Sequence, residues 1–194
     1  GPCCWARAPG HLGECLGLTG HRMQAADCIH AGFADHYVAP DRIAELVTAL
    51  TGDSDVAAVI AAVSEMPGDS VLASYQPAID SVFGGADVPA IMAALDADET
   101  LANSFGRMAA GLAAGSPIAL AATLALVRAV RRDPTMETAL DLEYRFTHRS
   151  FAETDFIEGI RAAVIDKDHK PAWRHDHVVD VPPALVNALL APLD

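Results

Sequence analysis

The chain has 194 residues, of which 52% are hydrophobic and 20% charged. This is enough apolar material to bury the core of about one domain. Its net charge of −13 argues against a general nucleic-acid or anionic-membrane surface. The longest apolar stretch, 118–130, is too short to span a bilayer, and no signal-peptide pattern precedes it. We therefore expect a globular protein in which any anionic ligand needs a local basic cluster.

The first 39 residues predict short helices punctuated by glycines. A small-residue helix is expected to end at Gly20 and a second at Gly32, because glycine adopts the left-handed conformation that closes helices. Residues 33–38 (Phe-Ala-Asp-His-Tyr-Val) then predict a brief strand before Pro40.

From Pro40 onward the pattern is almost entirely helical. Apolar residues recur at helical spacing over 43–50, and residues 53–64 predict another short helix. The stretch 74–98 contains Pro77, a Gly-Gly pair and a further proline, which predict short helices joined by loops.

Two stronger helices follow. Ser116-Pro117 supplies an N-cap and a proline at the first helical position, and the apolar run after them predicts a buried helix. Asp133-Pro134-Thr135 ends that helix and begins another over 136–146. A short terminal helix is expected over 184–190.

The segment 154–173 combines a helix with a charged turn. We predict Thr154 as the N-cap of an amphipathic helix whose C-terminal end carries Lys167 and Lys170, where the helix dipole favours cations. Pro171 prevents continuation, and Trp173 presents a large flat apolar surface just beyond.

This segment, Phe156-x-Glu-Gly-x-Arg-Ala-x-x-Ile-Asp-Lys-Asp-x-x-Pro-x-Trp173, resembles the C-terminal signature of the 3-hydroxyisobutyryl-CoA hydrolase branch of the crotonase (enoyl-CoA hydratase/isomerase) superfamily. The stretch Leu18-Thr-Gly-x-Arg22 and the ending Leu140-x-x-Glu-Tyr-Arg145 are similar to the same branch. The resemblance spans nearly the whole chain but about the C-terminal half of a family member.

The resemblance implies an α/β fold of which this chain retains chiefly helices. We expect a mainly α chain with one or two short strands, residues 1–39 being the end of the crotonase core and residues 40–194 the C-terminal helical region of the same domain. An exposed apolar face is expected where an N-terminal half would dock. The polypeptide could act with such a half or as a homo-oligomer.

The implied activity is acyl-CoA thioester hydrolysis in valine breakdown, through a backbone oxyanion hole and an acidic pair. The family motifs that carry these groups, Pro-Glu-Thr and Phe-Pro-Asp-Val-Gly, do not occur in the sequence. We assign no catalytic residue and expect no hydrolysis by these 194 residues alone. No cofactor is expected, because CoA is part of the substrate.

The resemblance places Lys167, Lys170 and Trp173 where a basic and an aromatic group would bind CoA. The alternative is a solvated helix end with local ion pairs, with Trp173 packed under the tail. Glu158 and Arg161, three residues apart, predict an intrahelical pair. Enoyl-CoA hydratase or isomerase activity, or a non-catalytic helical binding or assembly module, remain alternative functions.

Cysteine and histidine chemistry gives weaker candidates. Four cysteines lie within the first 28 residues without disulfide-framework spacing, which predicts free thiols and a cytoplasmic location, or the mitochondrial matrix in a eukaryote. The histidine and cysteine spacings match no zinc pattern, so no metal site is predicted. Neither Cys15 nor Cys28 has the local signature of a nucleophile.

Overall fold

The computed structural model describes residues 2–52, 55–99, 101 and 111–193. Throughout these residues the regular structure is helical, and no strand is formed. The chain divides into two compact units: Gly1–His21 together with Pro77–Asp194, and Arg22–Gln76. The boundary predicted after residue 39 separates the end of the crotonase core from the C-terminal helical region. The division into compact units does not test that boundary, which stays a prediction.

The first unit is a group of helices of unequal length. They are α1 (Pro2–Arg7), α2 (Leu12–Thr19), the end of α6 (Val71–Phe83), α7 (Val88–Ala97), α8 (Pro117–Arg132), α9 (Met136–Glu153), α10 (Phe156–Ile160) and α11 (Pro183–Leu190), with a π-helical turn over Arg161–Ile165 and a 3₁₀ turn over Val178–Asp180.

Helix α8 lies at the centre of this unit. Ser116 caps it by accepting a hydrogen bond from the Ala119 N–H at 3.3 Å, and Pro117 occupies the first turn, as predicted. Its apolar positions are buried against α1, α2, α9 and α11. Ile118 and Val130 are fully buried in two separate clusters on this helix. The helix is therefore fixed on several sides by hydrophobic packing.

The second unit holds α3 (Ala25–His30), a 3₁₀ turn (Pro40–Arg42), α4 (Ile43–Leu50), α5 (Val56–Val63) and the start of α6. Its main polar tie is the buried carboxylate of Asp27. That carboxylate accepts hydrogen bonds from the Gln24 N–H, the Ser70 hydroxyl and the Leu72 N–H at 3.1, 2.8 and 3.0 Å. Asp27 thereby joins the beginnings of two helices.

The mainly α class is confirmed, but the strand predicted over residues 33–38 is wrong. The Phe33 and Ala34 N–H groups both turn back to the Cys28 carbonyl, and Tyr37 accepts a single backbone bond from Glu65. An extended stretch without a neighbouring strand cannot form a ladder.

Two helix boundaries also differ from the prediction. Pro77 lies at an exposed position inside α6 and does not end the helix, although a proline there removes one helical hydrogen bond. Helix α9 continues to Glu153, beyond the predicted end at residue 146.

Large apolar side chains are exposed along α9 and the segment after it, as expected. Phe151, Phe156, Ile157, Val164 and Ile165 are between 44% and 68% exposed. In the second unit, α4 also exposes apolar residues, such as Val47 at 57%. Of the helices described, none combines the length and apolar character needed to cross a membrane.

Candidate functional site

The segment 154–174 forms a helix that widens and then turns back on itself. Helix α10 passes into the π-helical turn 161–165, where the Asp166 N–H donates to the Arg161 carbonyl at 2.8 Å. Such π turns recur at functional sites. The prediction of Thr154 as the N-cap is wrong by one residue, because Asp155 is the N-cap of α10 and Thr154 is the C-cap of α9. The Thr154 hydroxyl donates to the Ser150 carbonyl at 2.7 Å and accepts from the Phe156 N–H at 3.3 Å.

The residues that follow form what we call the lysine loop (residues 166–170). Lys167 and His169 adopt left-handed backbone conformations, with φ of 56° and 52°. These values are uncommon for residues other than glycine and mark a locally strained turn. The His169 N–H donates to the Ala162 carbonyl at 3.1 Å, which holds the loop against the π turn.

The chain then runs back along α10 in what we call the return segment (residues 171–174). The Ala172 N–H donates to Glu158 Oε1 at 2.7 Å, and the Arg174 N–H donates to Asp155 Oδ1 at 3.0 Å. Asp155 is buried, and its other oxygen accepts from the Ser116 hydroxyl at 2.6 Å. The start of α8 and the return segment are thus fixed to one carboxylate.

Arg161 organises the lysine loop. Its guanidinium binds Glu158 through Nε and Nη2 at 2.9 and 2.8 Å, and Nη1 donates to Asp166 and Asp168 at 2.6 and 2.8 Å. Nη2 also donates to the Lys170 carbonyl at 3.0 Å. All five N–H donors of the side chain are therefore engaged. The predicted Glu158–Arg161 pair is confirmed as part of this larger network.

Arg161 and the carboxylates it binds shift one another's pKa values. Hydrogen bonds from Arg161, with a further one from the Ala172 N–H, lower the pKa of Glu158 from 4.5 to about 2. Arg161 likewise lowers the pKa of Asp168, helped by the Lys170 N–H, and its own pKa is raised by these carboxylates. Glu158 and Asp168 are therefore charged at neutral pH, and both are occupied by Arg161.

The predicted binding residues lie in two settings. Lys167 and Lys170 share the lysine loop; both are exposed, and within the described residues neither ammonium group has an ion-pair partner. Trp173 is half-buried, packs beside Gly159, and donates from its indole N–H to the Ala114 carbonyl at 3.1 Å. Its ring also lines a cavity of about 380 Å³, together with Met92, Leu120 and other apolar residues of the first unit.

The cysteines and histidines offer further candidates for a site. Burial raises the pKa of Cys15 to about 12, so its thiol is protonated at neutral pH and is a poor nucleophile. Among the residues described, no three His, Cys, Asp or Glu side chains form a group able to hold a metal ion. A separate cavity of about 420 Å³ in the second unit is lined partly by His30, His36 and Tyr37.

Comparison with known proteins defines the class. The family model described as Enoyl-CoA hydratase/isomerase matches residues 1–190, so the chain belongs to the enoyl-CoA hydratase/isomerase family. This confirms the crotonase resemblance, and the helices described here are the C-terminal portion of that fold.

Among curated relatives, the chain is 32% identical to the 3-hydroxyisobutyryl-CoA hydrolase-like protein 5 of Arabidopsis thaliana, over 95% of this chain and 50% of that protein. It is 31% identical to the mitochondrial 3-hydroxyisobutyryl-CoA hydrolase of Danio rerio, over 97% and 51%. The small ribosomal subunit protein mS47 of Arabidopsis thaliana is also 31% identical, over 96% and 48%. The chain spans about half the length of the curated relatives it matches.

Two solved structures are similar over nearly all of this chain. An enoyl-CoA hydratase from Rhodobacter sphaeroides 2.4.1 superposes with a TM-score of 0.88 at 42% identity, covering 99% of this chain and 55% of that one. A carnitinyl-CoA dehydratase from Mycobacterium thermoresistibile gives a TM-score of 0.91 at 39% identity, covering 100% and 55%.

Proposed function

We propose that this chain is the CoA-binding, helical portion of an acyl-CoA thioester hydrolase of the 3-hydroxyisobutyryl-CoA type, acting in valine breakdown. The observation that carries the proposal is the lysine loop. In a member of a family of acyl-CoA enzymes, two exposed ammonium groups have no ion-pair partner among the described residues, while the carboxylates beside them are occupied. Such a loop suits the phosphates of CoA.

In this proposal Lys167 and Lys170 bind phosphate oxygens, and Trp173 offers its ring to the adenine or the pantetheine arm. The indole N–H is already used by Ala114 and the ring packs beside Gly159, so its position is fixed before a ligand arrives. A fixed aromatic surface loses little entropy on binding. The adjoining apolar cavity of about 380 Å³ is large enough for a small organic group.

The catalytic groups are assigned to the part of a family member that this chain does not match. Thioester hydrolysis needs N–H donors at the developing oxyanion and a placed carboxylate. No buried carboxylate of the described residues is available: Glu14, Asp27 and Asp155 are each engaged in structural hydrogen bonds. The exposed apolar residues of α9 and α10 are proposed to pack against that N-terminal half, in the cytoplasm or the mitochondrial matrix.

The test is release of free thiol from 3-hydroxyisobutyryl-CoA. The 194-residue chain is compared with a chimera that joins it to the part of the Danio rerio hydrolase it does not cover. We expect turnover by the chimera only, and a KM raised roughly tenfold by the double change Lys167→Ala/Lys170→Ala with kcat nearly unchanged. Turnover by the chain alone, or an unchanged KM, would overturn the assignment.

The second candidate is hydration or dehydration of an enoyl-CoA. The specific observation in its favour is that the two solved structures, a hydratase and a dehydratase, are more identical to this chain than the hydrolases are. A second chimera, with the part of the Rhodobacter sphaeroides hydratase that this chain does not cover, is assayed for loss of the ultraviolet absorbance of an unsaturated acyl-CoA. Because each donor supplies its own catalytic groups, each chimera is compared with its donor, and a larger retained share of kcat/KM in the hydratase chimera would favour this candidate over hydrolysis.

An assembly role is the remaining candidate, favoured by the similarity to the ribosomal protein mS47. It predicts a stable complex with other macromolecules and no CoA binding. Co-sedimentation with ribosomal subunits from the source cells, compared in the presence and absence of CoA, separates it from the enzymatic proposals.

A further inference from the structure

We propose that Arg161 is a positioning residue that makes the lysine loop attractive to anions by masking its two aspartates. This inference rests on the proposed CoA site. The loop sequence Asp166-Lys-Asp-His-Lys170 alternates acidic and basic side chains and would, by itself, offer an anion no net attraction. In the structure both aspartates pair with Arg161, and neither forms an ion pair with a lysine of the loop.

The masking is visible in the hydrogen bonds. Asp166 and Asp168 both turn toward the same guanidinium nitrogen, Nη1 of Arg161, at 2.6 and 2.8 Å. The second oxygen of Asp168 accepts from the Lys170 N–H at 2.9 Å. Lys167 and His169, which alternate with the two aspartates, have left-handed backbone, so the loop does not continue the preceding helix.

Arg161 is itself held from the helix side. The Glu158 carboxylate accepts hydrogen bonds from Nε and Nη2 of Arg161. It also accepts a hydrogen bond from the Ala172 N–H of the return segment. A planar guanidinium fixed in this way can serve two further carboxylates at once, which the single ammonium of a lysine cannot do with the same geometry. Arg161 therefore engages both aspartates of the loop from a fixed position.

The consequence is a prediction about anion affinity. Without Arg161, two carboxylates that are 49% and 38% exposed would be free to approach the lysines and pair with them. Their negative charges would repel the phosphates of CoA. Because both carboxylates are exposed, the repulsion should be moderate and should weaken as the salt concentration is raised.

The experiment is a charge-rescue cycle measured by the Kd of CoA for the chimera. Arg161→Met is expected to weaken binding roughly tenfold at low salt, and by less at high salt. Adding Asp166→Asn and Asp168→Asn to Arg161→Met should restore the Kd to within about threefold of the parent. The same two changes with Arg161 intact should have little effect.

Arg132→Met, on the exposed end of α8, changes the net charge equally and should leave the Kd unchanged. Arg161→Lys replaces Arg161→Met in the cycle if the Arg161→Met chimera does not fold. It is expected to lose less affinity for CoA than Arg161→Met, and adding Asp166→Asn and Asp168→Asn should recover that loss. Circular dichroism checks that every variant is folded.

The outcomes separate the two proposals. A parent chimera that binds no CoA overturns the proposed CoA site. A parent that binds CoA, with Arg161→Met binding equally well, overturns the role of Arg161. Weak binding that the asparagines do not rescue also overturns masking, because it shows that Arg161 acts on the shape of the loop alone.

Discussion

Arg131 should contribute strongly to stability, because it neutralises a carboxylate that water does not reach. Glu14 on α2 has 1% of its side chain exposed, and its Oε2 accepts from Arg131 Nη2 at 2.8 Å. Its other oxygen lies 3.2 Å from His11 Nδ1, and Arg131 also donates to the Gly10 carbonyl. The change Arg131→Met keeps the aliphatic stem but leaves this buried charge without its main partner.

The size of the effect follows from the burial of the two partners. Removing one partner of a fully buried pair costs about 3–5 kcal/mol. Since 30% of the Arg131 side chain is exposed, we expect a lower cost in the free energy of unfolding, about 2–3 kcal/mol. With a urea slope of about 2 kcal/mol per molar, the unfolding midpoint should fall by about 1–1.5 M.

Urea unfolding followed by circular dichroism measures this, with Arg132→Met as the matched control. Arg132 is the exposed neighbour on the same helix, and its replacement should change stability by less than about 0.5 kcal/mol. The double variant Glu14→Gln/Arg131→Met should recover more than half of the loss, since no buried charge is left unpaired. An Arg131→Met midpoint equal to that of Arg132→Met would refute the reasoning.

Three further predictions concern single features. Cys15, whose pKa is raised to about 12 by burial, should resist a thiol reagent in the native chain while the exposed Cys4 reacts quickly; equal rates would contradict its burial. Gly13→Ala should destabilise the chain by about 2 kcal/mol or more in thermal unfolding, because a Cβ there would lie 1.9 Å from a carbonyl oxygen of α1; an unchanged Tm would show that the helices separate easily. Glu158 has its pKa lowered from 4.5 to about 2, so its contribution is complete above pH 4.5 and is lost as the pH falls toward 2. The amide signal of Ala172, whose N–H donates to Glu158, should therefore be steady above pH 4.5 and move as the pH approaches 2, whereas movement near neutral pH would contradict the assignment.

Local signals made much of the helical fold predictable. The Ser116-Pro117 start of α8 and the glycine end of α2 each depend on neighbouring residues, so the sequence alone contains the reason for them. The strand prediction over residues 33–38 was wrong because a strand must pair with a second strand. The sequence of six residues does not show whether such a second strand lies beside it.

The candidate site was only half predictable. The residue types at Lys167, Lys170 and Trp173 suggested an anion site, and the pairing of Glu158 with Arg161 followed from their spacing. The convergence of Asp166 and Asp168 on Arg161 depends on left-handed backbone at two residues that are not glycine, which no composition signal indicates. The Glu14–Arg131 pair was missed because its members lie 117 positions apart.

Titration of CoA into the nitrogen-15-labelled chimera tests the central claim most directly. The matched segment contains two tryptophans, Trp5 and Trp173, so their two indole N–H signals act as reporter and internal control once assigned. We predict that CoA shifts the Trp173 indole signal and the amides of Lys167 and Lys170, leaves the Trp5 signal in place, and acts more strongly than dephospho-CoA. CoA binding that leaves all three of these positions unmoved would contradict the placement of the site, and the absence of any binding would contradict the function.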